Sequence, residues 1–172
     1  MAQRHAHGVT RMYHTSLRRL IRKFLMLEIG AVALYRVHGR MVSKRLRPLF
    51  QEFLAIEINH REQFAALDRS LHAGRGWWAR PFLDLAASVV ACITSLAGTR
   101  AILRFERSIE QQAVRDYSHA LTTVEHAGTR VVLEHVLADE LRHDRLTSLL
   151  MQYRGDEERH VKELEKALDE HS

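Results

Sequence analysis

Residues 137–146, "LADELRHDRL", decide the fold. They set an acidic residue and a histidine three apart, Glu140 and His143, within a segment spaced like an amphipathic helix. Leu133, Val136, Leu137, Leu150 and Met151 recur at helical intervals around them. Positions i and i+3 share a helix face, so both polar groups are directed where the apolar face is directed. Burying an unpaired carboxylate is costly. Something elsewhere in the chain must compensate for it.

Three further segments repeat the problem. Residues 15–42 read as a helix with Ile21, Phe24, Leu25, Ala31, Val32 and Tyr35 on one stripe, and Glu28 sits in that stripe. "SKRLRP" (43–48) breaks the chain, and Pro48 suits the first turn of a second helix running to His72. On that helix Glu57 and His60 lie between Phe53, Leu54 and Phe64. "HAGRGWWARP" (72–81) reads as a loop and "FLDLAASVVACITSLA" (82–97) as an apolar segment ending at Gly98. A third long helix spans 99–125 with Glu106 between Ile102, Leu103 and Ile109; "HAGT" (126–129) breaks it, and a fourth covers 130–153. Two helices giving one Glu each and two giving Glu-x-x-His is the carboxylate-bridged di-metal arrangement of four-helix bundles. Two cations would neutralise the buried carboxylates.

Spacing gives a separate check. In an antiparallel hairpin, residues at equal depth lie equally far from the turn. The midpoint of Glu28 and Glu57 falls between Val42 and Ser43, and that of Glu106 and Glu140 at Thr123, so each pair matches its expected break. Glu110 lies one turn from Glu106 on nearly the same face and is the alternative third-helix ligand. Glu157 and His160 repeat the Glu-x-x-His spacing in "RGDEERHVKELEKALDEHS" (154–172), whose apolar stripe of Val161, Leu164 and Leu168 is thin; that pair reads as surface. Asp116 with His119 is a near-match and reads as surface or as support for the site.

The remaining composition narrows the function classes. The chain has 172 residues, enough for one domain with a core, and only two prolines. The expected division is a bundle domain over 1–153, with 1–14 flexible, and a charged helical tail over 154–172. Cys92 is the single cysteine, which excludes an internal disulfide and a Cys-x-x-Cys metal knuckle. The N-terminal residues lack the apolar core of a secretory signal, so a cytoplasmic location is expected, peripheral to the inner membrane face. The net charge of +5 suits an anionic membrane surface. There is no zinc-finger spacing and no basic region leading into heptads, so no nucleic-acid partner is expected. Trp77 and Trp78, flanked by Arg75 and Arg80, precede about sixteen mostly apolar residues, fewer than the roughly 20 a span requires. This segment is expected to lie on a membrane surface or to form a core crossover.

The inner residues resemble the ferritin-like di-iron carboxylate superfamily. Within it, "LEIGAVALYR" (27–36), "EINHREQF" (57–64), "FERSIE" (105–110) and "DELRHD" (139–144) resemble the demethoxyubiquinone hydroxylase family over about residues 20–152. The resemblance implies an all-α, antiparallel four-helix bundle with a long apolar helical crossover and a C-terminal charged helix. It implies two iron ions, with manganese as the alternative, held by Glu28, Glu57, His60, Glu106, Glu140 and His143. Asp139 would orient His60 from outside the ligand shell, and Tyr35, Tyr117 and Glu110 would stand beside it. The family follows its third-helix Glu with a His-His-Tyr-like run; counted from Glu106 the same register reads Gln111, Gln112 and Ala113. The implied reaction is a monooxygenation of a quinone-like apolar substrate in ubiquinone biosynthesis. Dioxygen, an external electron donor, a membrane surface and further copies of the chain in a homo-oligomer are the partners expected. A ferroxidase or peroxide-reducing iron protein, and a non-enzymatic membrane- or partner-binding protein, are the competing readings.

Overall fold

A chain rich in Leu, Ala, Arg and Glu favours helix, and the computed structural model is all-α across the residues it describes. These are residues 2–70, 80–132 and 137–171 for the backbone, and 17–70, 80–123 and 148–171 for side chains. The helices are α1 (Ala2–Met41), α2 (Arg47–Ser70), α3 (Arg80–Leu96), α4 (Thr99–Val132) and α5 (Leu137–Asp169). Pro48 and Pro81 each occupy the first turn of a helix, where the missing N–H has no helical partner to lose. At the α1–α2 turn, Val42 N donates to the His38 carbonyl at 2.9 Å and Leu46 N to that of Ser43 at 3.0 Å. Gly98, at φ 88°, separates α3 from α4; the left-handed conformation suits a residue without Cβ.

The helices form two hairpins, α1–α2 and α4–α5, with α3 crossing between them. α3 packs along α1 and touches α4 more lightly. The inward stripe of α2 is Phe50, Phe53, Glu57, His60, Phe64 and Leu67; that of α5 is Leu150, Tyr153, Glu157, His160, Leu164 and Ala167. Both follow alternating steps of three and four, the period of a helix face buried in a bundle. One apolar layer joins Ile21, Phe24, Phe64, Tyr117, Leu150 and Tyr153. A second joins Tyr35, Phe50, Phe53, Ile102, Leu103 and Leu164. Each fully buried Phe or Leu contributes roughly 1.5–3 kcal/mol. The buried carboxylates lie between the two layers.

Three expectations change. α4 continues through "HAGT" to Val132, because one interior Gly costs only about 1 kcal/mol, too little to end a long helix. Residues 154–169 are the second half of α5, not a separate tail, and they bury Leu164 and Ala167. α1 begins at Ala2, inside the segment expected to be flexible. Trp77 and Trp78 fall outside the described residues. α3 fulfils the crossover expectation, yet Phe82, Leu85, Ile93 and Leu96 are all more than 60 % exposed on it. No helix among the described residues is long and apolar enough to cross a membrane.

Candidate metal centre

Between the apolar layers, four helices direct six ionisable side chains at one another. Glu28 comes from α1, Glu57 and His60 from α2, Glu110 from α4, and Glu157 and His160 from α5; all are buried. Their ligating atoms form two overlapping groups, Glu28, Glu57, His60 and Glu157, and Glu57, Glu110, Glu157 and His160. Within each group the atoms lie within 4.8 Å of one another. Glu57 and Glu157 belong to both. His60 Nδ1 is 3.8 Å from Glu28 and from Glu57 and 3.6 Å from Glu157. His160 Nδ1 is 3.5 Å from Glu57, 3.6 Å from Glu110 and 3.1 Å from Glu157.

The surroundings repeat with near two-fold regularity. His60 stacks on Tyr153 with centroids 3.9 Å apart, and His160 lies over Phe53 at 4.0 Å. Tyr117 of α4 donates a hydrogen bond to Glu28 of α1, and Tyr35 of α1 donates one to Glu110 of α4. Each tyrosine follows the glutamate of its own helix by seven residues, one heptad or about two turns along one face. Burial, with the neighbouring carboxylates, holds both phenols well above their ordinary pKa, so they remain donors.

Burial pushes Glu28 up to about 7 and, with the negative charge of their neighbours, holds Glu57 and Glu157 well above the usual carboxylate range. Burial also pushes the Glu110 carboxyl up, but hydrogen bonds with Glu157, His160 and Tyr35 outweigh it and leave the group lowered. His60 is brought down to about 4 by burial, against the pull of Asp156. The protein alone therefore stabilises the ionised cluster poorly. Glu57 Oε1, His60 Nδ1, Glu157 Oε2 and His160 Nδ1 are buried without a hydrogen-bond partner among the described residues. Four carboxylates and two imidazoles with their donor atoms turned inward fit a pair of divalent first-row cations, iron or manganese before softer metals.

Not every residue singled out from the sequence joins this cluster. Glu28, Glu57 and His60 do. Glu106 lies one turn away and pairs with His38, which the sequence reading passed over. Glu110, the alternative third-helix ligand, stands in the cluster instead. Glu157 and His160, read as surface, are 2 % and 0 % exposed; this corrects that reading. The side chains of Asp139, Glu140 and His143 lie outside the described residues, but their place on α5 is informative. Seventeen residues separate Glu140 from Glu157 on that continuous helix, or about 25 Å of helix axis. The two pairs cannot occupy one layer. Asp156, immediately before Glu157, holds the outer nitrogen of His60 at 3.2 Å, the part expected of Asp139. Counted from Glu110 rather than Glu106, the register of the His-His-Tyr-like run reads Arg115, Asp116 and Tyr117.

A cavity of about 220 Å³ reaches the cluster between α1 and α4. Leu27, Gly30, Ala31, Leu34, Ile109 and Ala113 form its walls, and Glu28, Glu57, Glu110 and Glu157 lie at its polar end. The family model described as ubiquinone biosynthesis protein COQ7 matches residues 15–171, a span containing both groups of ligating residues. Among curated proteins none matches the chain.

Proposed function

Because the chain belongs to the ubiquinone biosynthesis protein COQ7 family, an enzyme family of di-iron hydroxylases, we propose that Glu28, Glu57, His60, Glu110, Glu157 and His160 hold its metal pair. The observation that carries this is the overlap of two four-residue groups through Glu57 and Glu157. Those two carboxylates would be shared between the two positions, with Glu28 and His60 serving one and Glu110 and His160 the other. Bound there, two iron ions, or manganese in their place, supply the capacity to activate dioxygen.

The chain's own residues supply the rest. Tyr117 and Tyr35 fix the outer oxygens of Glu28 and Glu110 by hydrogen bonds. The cavity beside α1 and α4 is mostly apolar, with Gln112 and Asp116 among its lining and the carboxylates at one end, so it would admit a flat apolar ring, such as a quinone precursor, to the carboxylate cluster. Hydroxylation with one oxygen atom of dioxygen releases the other as water and consumes two electrons and two protons, which an external reductant must provide. The exposed apolar row of α3, Phe82, Leu85, Val89, Ile93 and Leu96, rests on the membrane surface in which such a substrate dissolves.

Oxygen consumption by reduced, iron-loaded protein tests this reading. A quinone analogue should accelerate it and gain a hydroxyl group. Rapid oxidation of many Fe(II) per chain with no product from any quinone would replace the hydroxylase with a ferroxidase.

A further inference from the structure

The two halves of the metal centre match closely except behind the histidines. Glu57 and Glu157 both belong to the two groups, His60 and His160 both turn Nδ1 inward, and each imidazole rests on an aromatic ring. The outer nitrogens differ. His60 Nε2 meets Asp156 Oδ2 at 3.2 Å. Asp156 is itself held, its other oxygen 3.6 Å from Arg159, which also reaches Glu52 at 3.2 Å. The residue standing before Glu57, as Asp156 stands before Glu157, is Ile56. His160 is fully buried, and its Nε2 has no hydrogen-bond partner among the described residues.

A carboxylate behind a ligating imidazole fixes its tautomer, keeps its other nitrogen unprotonated for the metal and makes that nitrogen a better donor; losing such a partner costs about 10–100-fold in metal affinity. An aliphatic side chain does none of this. We propose that the two metal positions are unequal: the position served by His60 binds its ion first and more tightly, and the position served by His160 is the weaker one. Asp156 is the positioning residue that sets this order, and Ile56 is the reason it is not matched on the other side. This inference rests on the proposed ligand set and adds an order of loading to it. One ion is retained when metal is scarce, and the centre becomes competent only on filling the His160 side.

The test is a manganese(II) titration of the full chain, followed by equilibrium dialysis and by the electron paramagnetic resonance signal, which separates an isolated ion from a coupled pair. The unaltered protein should show the isolated-ion signal at one equivalent and the coupled signal only with the second. Repulsion between two cations would also split the steps, so two variants decide the cause. Ile56→Asp should strengthen the second step by about tenfold and leave the first, while Asp156→Asn should weaken the first by about tenfold and leave the second. Equal steps in the unaltered protein, or variants that move both steps together, would overturn the inference while leaving the ligand set standing. Failure to bind a second ion at any concentration would remove the ligand set itself.

Discussion

Glu106 and Glu110 lie one turn apart on α4, both buried, and the protein treats them in opposite ways. Glu106 meets a base. His38 Nε2 lies 3.2 Å from the Ala91 carbonyl, which can only accept, so that nitrogen carries a hydrogen. His38 Nδ1 then faces the Glu106 carboxyl across a hydrogen bond. Glu110 meets Glu57 and Glu157, two more acids, together with His160, and accepts a hydrogen bond from Tyr35. Glu106 has a single imidazole partner, whereas Glu110 stands in a group of acids and an imidazole whose ligating atoms lie within 4.8 Å of one another. Burial alone does not distinguish a metal ligand from a structural acid; the sign of what faces it does.

The sharpest break is metal content. Glu57→Ala or Glu157→Ala removes a carboxylate shared by both positions, and bound iron measured by mass spectrometry should fall to a small fraction of the unaltered level. Glu106→Ala should retain it. So should Glu140→Ala, whose place on α5 is too far from the cluster. Loss of iron from Glu106→Ala equal to that from Glu157→Ala would erase the distinction between the two carboxylates.

Next in size is the response of the metal-free protein to pH. Carboxyls raised in the fold, Glu28 and Glu106 to about 7 and Glu57 and Glu157 well above their ordinary value, stabilise fully below the unfolded value near 4.3. That contribution is lost as pH rises through their folded values, on the order of 3 kcal/mol for Glu28 alone. His60, lowered to about 4, acts in the other direction, losing stability as pH falls from about 6.5 to 4, and so does Glu110, lowered by its hydrogen bonds. Four raised carboxyls outweigh one imidazole and one lowered carboxyl. The melting temperature of metal-free protein should therefore drop between pH 5 and 8, and bound metal should abolish most of that drop. A metal-free protein more stable at pH 8 than at pH 5 would contradict the electrostatic account of the cluster.

Smaller again is the effect of dismantling the internally compensated pair. Glu106→Ala leaves His38 buried without its partner and should cost about 3–5 kcal/mol, while replacing both residues by Leu should recover much of that loss. Chemical denaturation of the metal-loaded protein measures both. If the double variant is no more stable than Glu106→Ala, the two residues do not act as a unit.

Much of this contrast was legible in the sequence on one side of the molecule and displaced on the other. α2 announced itself through Phe53, Glu57, His60 and Phe64, and a break at 43–48 put Glu28 at the depth of Glu57. For α4 and α5 the depth argument was sound but its turn was misplaced. Gly128 looked like a break, whereas α4 runs on to Val132 and α5 starts at Leu137. The midpoint of Glu110 and Glu157 falls between Leu133 and Glu134, inside that interval. A midpoint there matches Glu110 with Glu157 in depth, in place of Glu106 with Glu140. The signal that could have found Glu157 is the run Leu150, Tyr153, Glu157, His160, Leu164, Ala167, which copies the spacing of Phe50 to Leu67. It was obscured by the charged residues on the exposed faces of α5. His38 carried no such signal, because its partners on α4 and α3 are set by tertiary packing.

The last difference between the two carboxylates is access, and it can be sharpened at Gly30. The cavity between α1 and α4 is lined by Glu28, Glu57, Glu110 and Glu157; Glu106 does not line it. Gly30 lies in its wall, and a Cβ built there meets nothing within 4 Å. A methyl group should fit, and Gly30→Ala should raise stability by about 0.5–1 kcal/mol, since glycine inside a helix is costly. A Leu at the same place extends into the space a ring substrate needs. Gly30→Leu should keep its iron and its melting temperature, because neither ligands nor packed core are touched, while the KM for a quinone analogue rises several-fold. Loss of iron from Gly30→Leu would mean that the side chain disturbs the bridging carboxylates. Unchanged turnover at low substrate would mean that the ring reaches the metal pair by another route.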